Sequence, residues 1–135
     1  MAYLYDVQTN NGGLTLMIAA IMCMAASPSL AQSVQPDYGK AYGYALRCFV
    51  ADGVAAPKPE DDPDGVTTKS VREYAHKAFD TAYFMGGKLG YSKDRVSADL
   101  DHAQNVELRL MVQNPNYFAQ TRSDCVKLGL MPATG

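Results

Sequence analysis

Three cysteines, two histidines and nine tyrosines are the side chains of this 135-residue sequence whose types and spacing invite chemistry. Each histidine follows an acid by three residues, as Glu73 to His76 and Asp99 to His102. On a helix that spacing puts both groups on one face, and carboxylate-bridged dimetal bundles use such pairs, with two further helices each adding an inward Glu. The rest of that set is missing here. Glu73 and His76 fall on the charged side of their helix, His102 sits at the edge of an apolar stripe, and neither remaining helix offers an inward Glu. Both pairs are read as surface residues, and no metal is expected. Nor is there a Gly-x-Ser-x-Gly, a His-Glu-x-x-His or a Cys–His pairing with nucleophile character. The sequence therefore predicts no enzyme and no cofactor.

Of the cysteines, Cys23 lies in a long apolar run near the start, which leaves Cys48 and Cys125 as an even pair. Without a Cys-x-x-Cys spacing they are expected to form one structural disulfide in an oxidising compartment. Seven tyrosines follow the apolar run in a chain without Trp: Tyr38, Tyr42, Tyr44, Tyr74, Tyr83, Tyr91 and Tyr117. A phenol is apolar along its body and polar at its tip, so such residues suit a groove for an apolar ligand or a partner helix as well as ordinary core and boundary packing. Tyr38, Tyr42, Tyr44 and Tyr83 are the candidate interaction surface, for a protein partner or a small apolar ligand.

Compartment is decided by Leu14 to Ala31, LTLMIAAIMCMAASPSLA. As a helix the run Leu14–Ala26 is about 20 Å long, against a hydrocarbon core of roughly 30 Å, too short for a comfortable membrane span. Ser27 and Pro28 break it, and Ser29-Leu30-Ala31 presents small residues where a signal peptidase reads. Cleavage after Ala31 is expected, with a mature chain starting at Gln32 and a periplasmic or secreted location. Met1–Gly13 departs from the usual pattern, having no Lys or Arg and carrying Asp6, which leaves open an uncleaved N-terminal anchor helix. Two regions result, 1–31 as signal or anchor and 32–135 as one small domain. Only Asp6 of the charged residues precedes the cut, leaving 12 basic against 13 acidic side chains and a net charge of −1. So even a balance carries no footprint for nucleic acid and no basic cluster for an anionic membrane; membrane attachment would require retention of residues 1–31.

Four helices are predicted to hold these residues. Asp37 caps the first, which runs to about Asp52 with Tyr38, Ala41, Tyr42, Ala45, Cys48 and Phe49 inward. Gly39 and Gly43 weaken it, through poor propensity tolerated by packing or through close approach of another helix. Ala55–Gly65 holds Pro57, Pro59 and Pro63 and several acids, and is read as a solvated, acidic, Pro-rich loop. It is no calcium loop: counting Asp62 as position one puts Glu73 at twelve but Val66 at five, with the loop Gly misplaced. A second helix spans about Thr67 to Leu89, capped by Thr67 or Thr68, with Val71, Tyr74, Ala75, Ala78, Ala82 and Met85 inward. Gly86-Gly87-Lys88-Leu89-Gly90 lacks phosphate-loop spacing and reads as a helix end or a close-packing site. Ser92 caps a third helix to Gln113 with Val96, Leu100, Ala103, Val106, Leu110 and Met111 inward. Pro115 starts a fourth, with Tyr117 or Phe118, Thr121, Cys125 and Leu128 inward until Gly129. No period-two run supports strands, so the expected fold is all-α: a compact four-helix domain with one disulfide. Its packing should be oblique, because strictly antiparallel first and fourth helices would misalign the two sulfurs by some 6 to 9 Å on helical rise.

The segment ending in Ala-Gln, Arg47-Cys48-Phe49-Val50, Ala82-Tyr83-Phe84-Met85-Gly86-Gly87-Lys88-Leu89-Gly90 and the late Cys125 together resemble a group of small exported helical proteins of alphaproteobacteria without an assigned function. That resemblance implies a compact helical fold and transfers no activity. The expected function is an exported, non-enzymatic helical binding or interaction protein; the alternative is an accessory subunit of a membrane complex, anchored by an uncleaved N-terminal helix. Intact-mass measurement on the protein from its native host distinguishes them: a chain beginning at Gln32 is expected, and retention of Met1–Ala31 would sink the cleaved form.

Overall fold

A helix forms in this chain wherever an acceptor side chain meets the start of an apolar 3.6-residue pattern. In the computed structural model, which describes residues 35–133, α1 spans Tyr38–Ala55, α2 Val66–Lys88, α3 Lys93–Gln113 and α4 Pro115–Lys127. A short 3-10 turn, Pro59–Asp61, interrupts the α1–α2 connection, and there is no strand among the described residues. The signal or anchor expected over 1–31, with Cys23, lies outside the described residues. No helix among the described residues is long and apolar enough to cross a membrane.

Two of the three caps expected are found, and α4, which starts at Pro115 as expected, is capped by Asn114. Asp37 Oδ1 accepts from the Lys40 amide at 2.9 Å, Ser92 Oγ from Arg95 at 3.2 Å, and Asn114 Oδ1 from Tyr117 at 3.1 Å. Such caps satisfy amides that have no partner inside the helix. At α2 neither Thr67 nor Thr68 is the cap. Gly65 holds that place at φ +69°, a conformation only Gly adopts freely, and acids further back supply the acceptors. Asp62 accepts from the Thr67 and Thr68 amides at 3.2 and 2.7 Å, and Asp64 from Val66 at 3.1 Å. Hydrogen bonds from Thr68, ahead of that from Thr67, hold the Asp62 carboxyl below its usual range. The acidic loop is therefore not simply solvated: Asp62 is buried, drawn in because a helix N-terminus favours negative charge.

α1 packs against each of the other helices, most extensively α2; α3 also reaches all three, whereas α2 and α4 do not pack on each other. Along α1 the core divides in two. Tyr42 and Ala45 join Ala82, Val96 and Leu100, while Cys48, Val50 and Ala51 join Ala78, Ala103, Met111, Cys125, Leu130 and Met131. Gly86 is the close-packing site: a Cβ there would lie 2.6 Å from Val96 Cγ2 and 3.2 Å from Tyr42 Cε2. Gly39 and Gly43 meet only side chains of their own neighbourhood, Asp37 and Arg47, so their spacing admits no second helix. Poor propensity tolerated by packing is the reading that holds.

Some predicted inward positions face water. Val106 and Leu110 on α3, and Leu128 just after α4, are exposed. Their periodicity is right, but no neighbouring element among the described residues covers them. Conversely Val50, Ala51 and Asp52 are buried beyond the stripe predicted for α1, because the second half of that helix is enclosed by several elements.

Cys48 and Cys125 are bonded, fully buried, with Cα atoms 5.6 Å apart across 77 residues of sequence. Closing a loop of that length stabilises by about 4 kcal/mol in the chain-entropy model. Replacing both cysteines by Ala should lower unfolding free energy by about that amount, read as an earlier urea midpoint; an unchanged midpoint would deny the bond a stabilising role.

Candidate functional site

α1 ends at Ala55, ahead of Pro57, beside the first turns of α2, and α2 and α4 do not pack on each other. A cleft of about 500 Å³ opens there. Its walls are Ala55, then Val66, Thr67, Ser70 and Val71 from the first turns of α2, Phe118 and Arg122 from α4, and Met131 and Pro132. Those last two are placed by the end of α4. Gly129 takes φ +66°, its amide donates to Val126 O at 3.0 Å and that of Leu130 to Cys125 O at 2.9 Å, so the chain reverses and buries Leu130 and Met131.

The cleft is chiefly apolar. At the α2 terminus the amides of Val66, Thr67, Thr68 and Lys69 are taken by Asp64, Asp62 and Gly65 O, so the helix start offers no free donor. What remains polar is the Thr67 and Ser70 hydroxyls and the Arg122 guanidinium, the one charged group among the lining residues. Arg122 is half-buried and takes part in no ion pair or side-chain hydrogen bond among the described residues, where the ion pairs are Arg95–Asp99 and Lys127–Asp124. Pockets of this volume with apolar walls and few polar groups are the usual form of small-molecule sites.

One turn before the cleft, α1 buries Asp52 completely, on the helix face of Cys48 and Ala55. Neither carboxyl oxygen has a hydrogen-bond partner among the described residues. Burial disfavours the charged form and pushes its pKa up to about 7, from 3.8.

The four predicted tyrosines do not gather into one surface. Tyr42 is a core residue, 7 % exposed, packed edge-on to Tyr91 at 5.4 Å and donating from its hydroxyl to Asp99 Oδ2 at 2.9 Å. Burial first, and that bond second, raise its pKa. Tyr83 is half-buried against Phe79 at 4.7 Å, Tyr44 lies under the Arg47 guanidinium at 4.9 Å, and Tyr38 sits half-buried in the first turn of α1. The acid–histidine pairs also stay apart. Glu73 and His76 are exposed on the outer face of α2, while Asp99 and His102 line a separate 250 Å³ groove with Arg47 and Glu107. No three metal-ligating residues come together among the described residues.

None of the cleft residues was predicted as part of a site by sequence, although Val71 and Phe118 were placed inward. The available signal was Arg122, a cation one turn from both Phe118 and Cys125 on the inward stripe of α4, where solvent alone does not explain it.

The Asp52 carboxyl stays protonated in the folded state between pH 3.8 and about 7 while the unfolded chain ionises, so stability falls as pH rises through that window and levels off above it. At about 1.4 kcal/mol per pH unit the fall totals roughly 4 kcal/mol. Asp52→Asn should remove that slope in urea unfolding between pH 4.5 and 7.5; a slope equal to wild type would refute the assignment.

No family model, no curated protein and no solved structure matches this chain.

Proposed function

We propose that this chain is an exported, non-enzymatic α-helical binding protein whose cleft between α1, α2 and α4 holds a small apolar ligand. The observation that carries this reading is the cleft itself: about 500 Å³, apolar-walled and formed by side chains from four separate segments. Export is supported by Leu14–Ala31, with its apolar run and Ser29-Leu30-Ala31, and by a fully buried disulfide of the kind that persists in oxidising compartments. The resemblance to small exported helical proteins of alphaproteobacteria agrees with this location.

A second reading, the accessory subunit of a membrane complex, is favoured by α3. Val106 and Leu110 form one exposed apolar row and Leu108 and Val112 another, more than a solvated helix of this length needs. Retention of residues 1–31 would then provide the attachment.

Native mass spectrometry of the protein taken from its own envelope without detergent tests the choice. A bound species of a few hundred daltons, released on denaturation, is expected under the first reading. Its absence, with crosslinks from α3 to a membrane protein, would replace that reading by the second.

A further inference from the structure

Resting on the binding reading above, and adding the charge of the ligand to it, we propose that the cleft takes a single-chain alkyl carboxylate, its chain against Val66, Val71, Phe118 and Met131 and its carboxylate on the Arg122 guanidinium. A guanidinium is a planar fork of donors that matches a carboxylate with two parallel bonds, and in a half-dry setting such bonds are shorter and stronger than neutral ones. Arg122 has no such partner among the described residues. It is half-buried beside Phe118, outside both ion pairs of the described residues, and alone in charge on the cleft wall.

The carboxyl most readily imagined as its counter-ion does not serve. Asp52 is on the face of α1 that leads to Ala55, and the Cys48–Cys125 bond together with the shared Ala55–Phe118–Arg122 wall shows that α4 runs back along this half of α1. Yet Asp52 is wholly buried and makes no hydrogen bond to Arg122, and burial pushes its pKa up to about 7. Of the loop acids, Asp62 and Asp64 are committed to the first amides of α2, and Glu60 and Asp61 do not line the cleft. The cleft therefore combines an apolar lining with one uncompensated positive charge. Its complement is an apolar chain ending in one negative charge, and its volume suits one such chain.

The test titrates the full-length, disulfide-bonded protein at pH 7.5 with decanoate and with decan-1-ol, which share a chain and differ in charge. Calorimetry gives the affinity, and the Met131 methyl resonance reports whether the probe sits in the cleft. Decanoate should bind at least tenfold more tightly than decanol and move the Met131 methyl. Arg122→Gln should remove that preference while leaving decanol unchanged, and Ser70→Trp, which fills the cleft, should abolish both. Equal affinity for the two probes, or a preference that survives Arg122→Gln, overturns the anionic ligand and leaves cleft binding standing. An unmoved Met131 methyl with both probes, or binding that survives Ser70→Trp, overturns the cleft reading as well. The methyl readout on wild type decides the matter should a variant fail to fold.

Discussion

The buried bond between Cys48 and Cys125 is the constraint on which the rest of the domain depends. α4 is the shortest helix, 13 residues, and packs on α1 and α3 without support from α2. Isolated helices of that length are marginal in water, so its place has to come from tertiary contacts. The bond supplies one fixed point in the middle of the core, and Leu130 and Met131 supply a second by folding back after Gly129. Because Phe118 and Arg122 are carried on the same helix, the bond that secures α4 also positions a wall of the cleft. Stability and the proposed site thus share one dependence on an oxidising compartment.

Against that stabilisation stands Asp52. A carboxyl with no exposure and no partner is costly in a core of Val, Ala and Met, and a domain of this size has only a small margin. Protonation is the physical response, since a neutral acid loses far less on leaving water than a carboxylate does. The polar network elsewhere is arranged the other way. Tyr42 and Tyr117 each give a hydroxyl to a carboxylate, Asp99 and Glu107, and burial first, with those bonds second, raises the pKa of both phenols. Asp99 and Glu107 have phenol partners, whereas Asp52 sits fully buried without one, a turn before the proposed binding cleft.

Much of the fold was legible in the residues. Ser92, Asn114-Pro115 and Asp37 marked helix starts correctly because capping is local, a matter of one side chain and amides two or three residues on. The pairing of Cys48 with Cys125 followed from their number and their inward positions. The α2 start was misread for a reason equally local in kind but longer in reach: its acceptors, Asp62 and Asp64, lie in a Pro-rich loop that gave no sign of folding back. The cleft was not legible, since Ala55, Ser70, Phe118 and Met131 lie far apart in sequence and nothing in their types alone brings them together. Nor did residue type tell which phenols would be enclosed: Tyr42 is in the core, while Tyr38, Tyr44 and Tyr83 are half-buried.

By itself the sequence determined four helices, most of their ends, the disulfide and the absence of a charge pattern for nucleic acid, all set by periodicity, capping chemistry and composition. Only the tertiary structure decided which apolar stripes are covered, leaving Val106 and Leu110 bare while enclosing Val50 and Asp52, and where the gap between α2 and α4 falls. Those outcomes depend on how helices of unequal length meet. That is a property of packing between elements, and no stretch of sequence contains both sides of it.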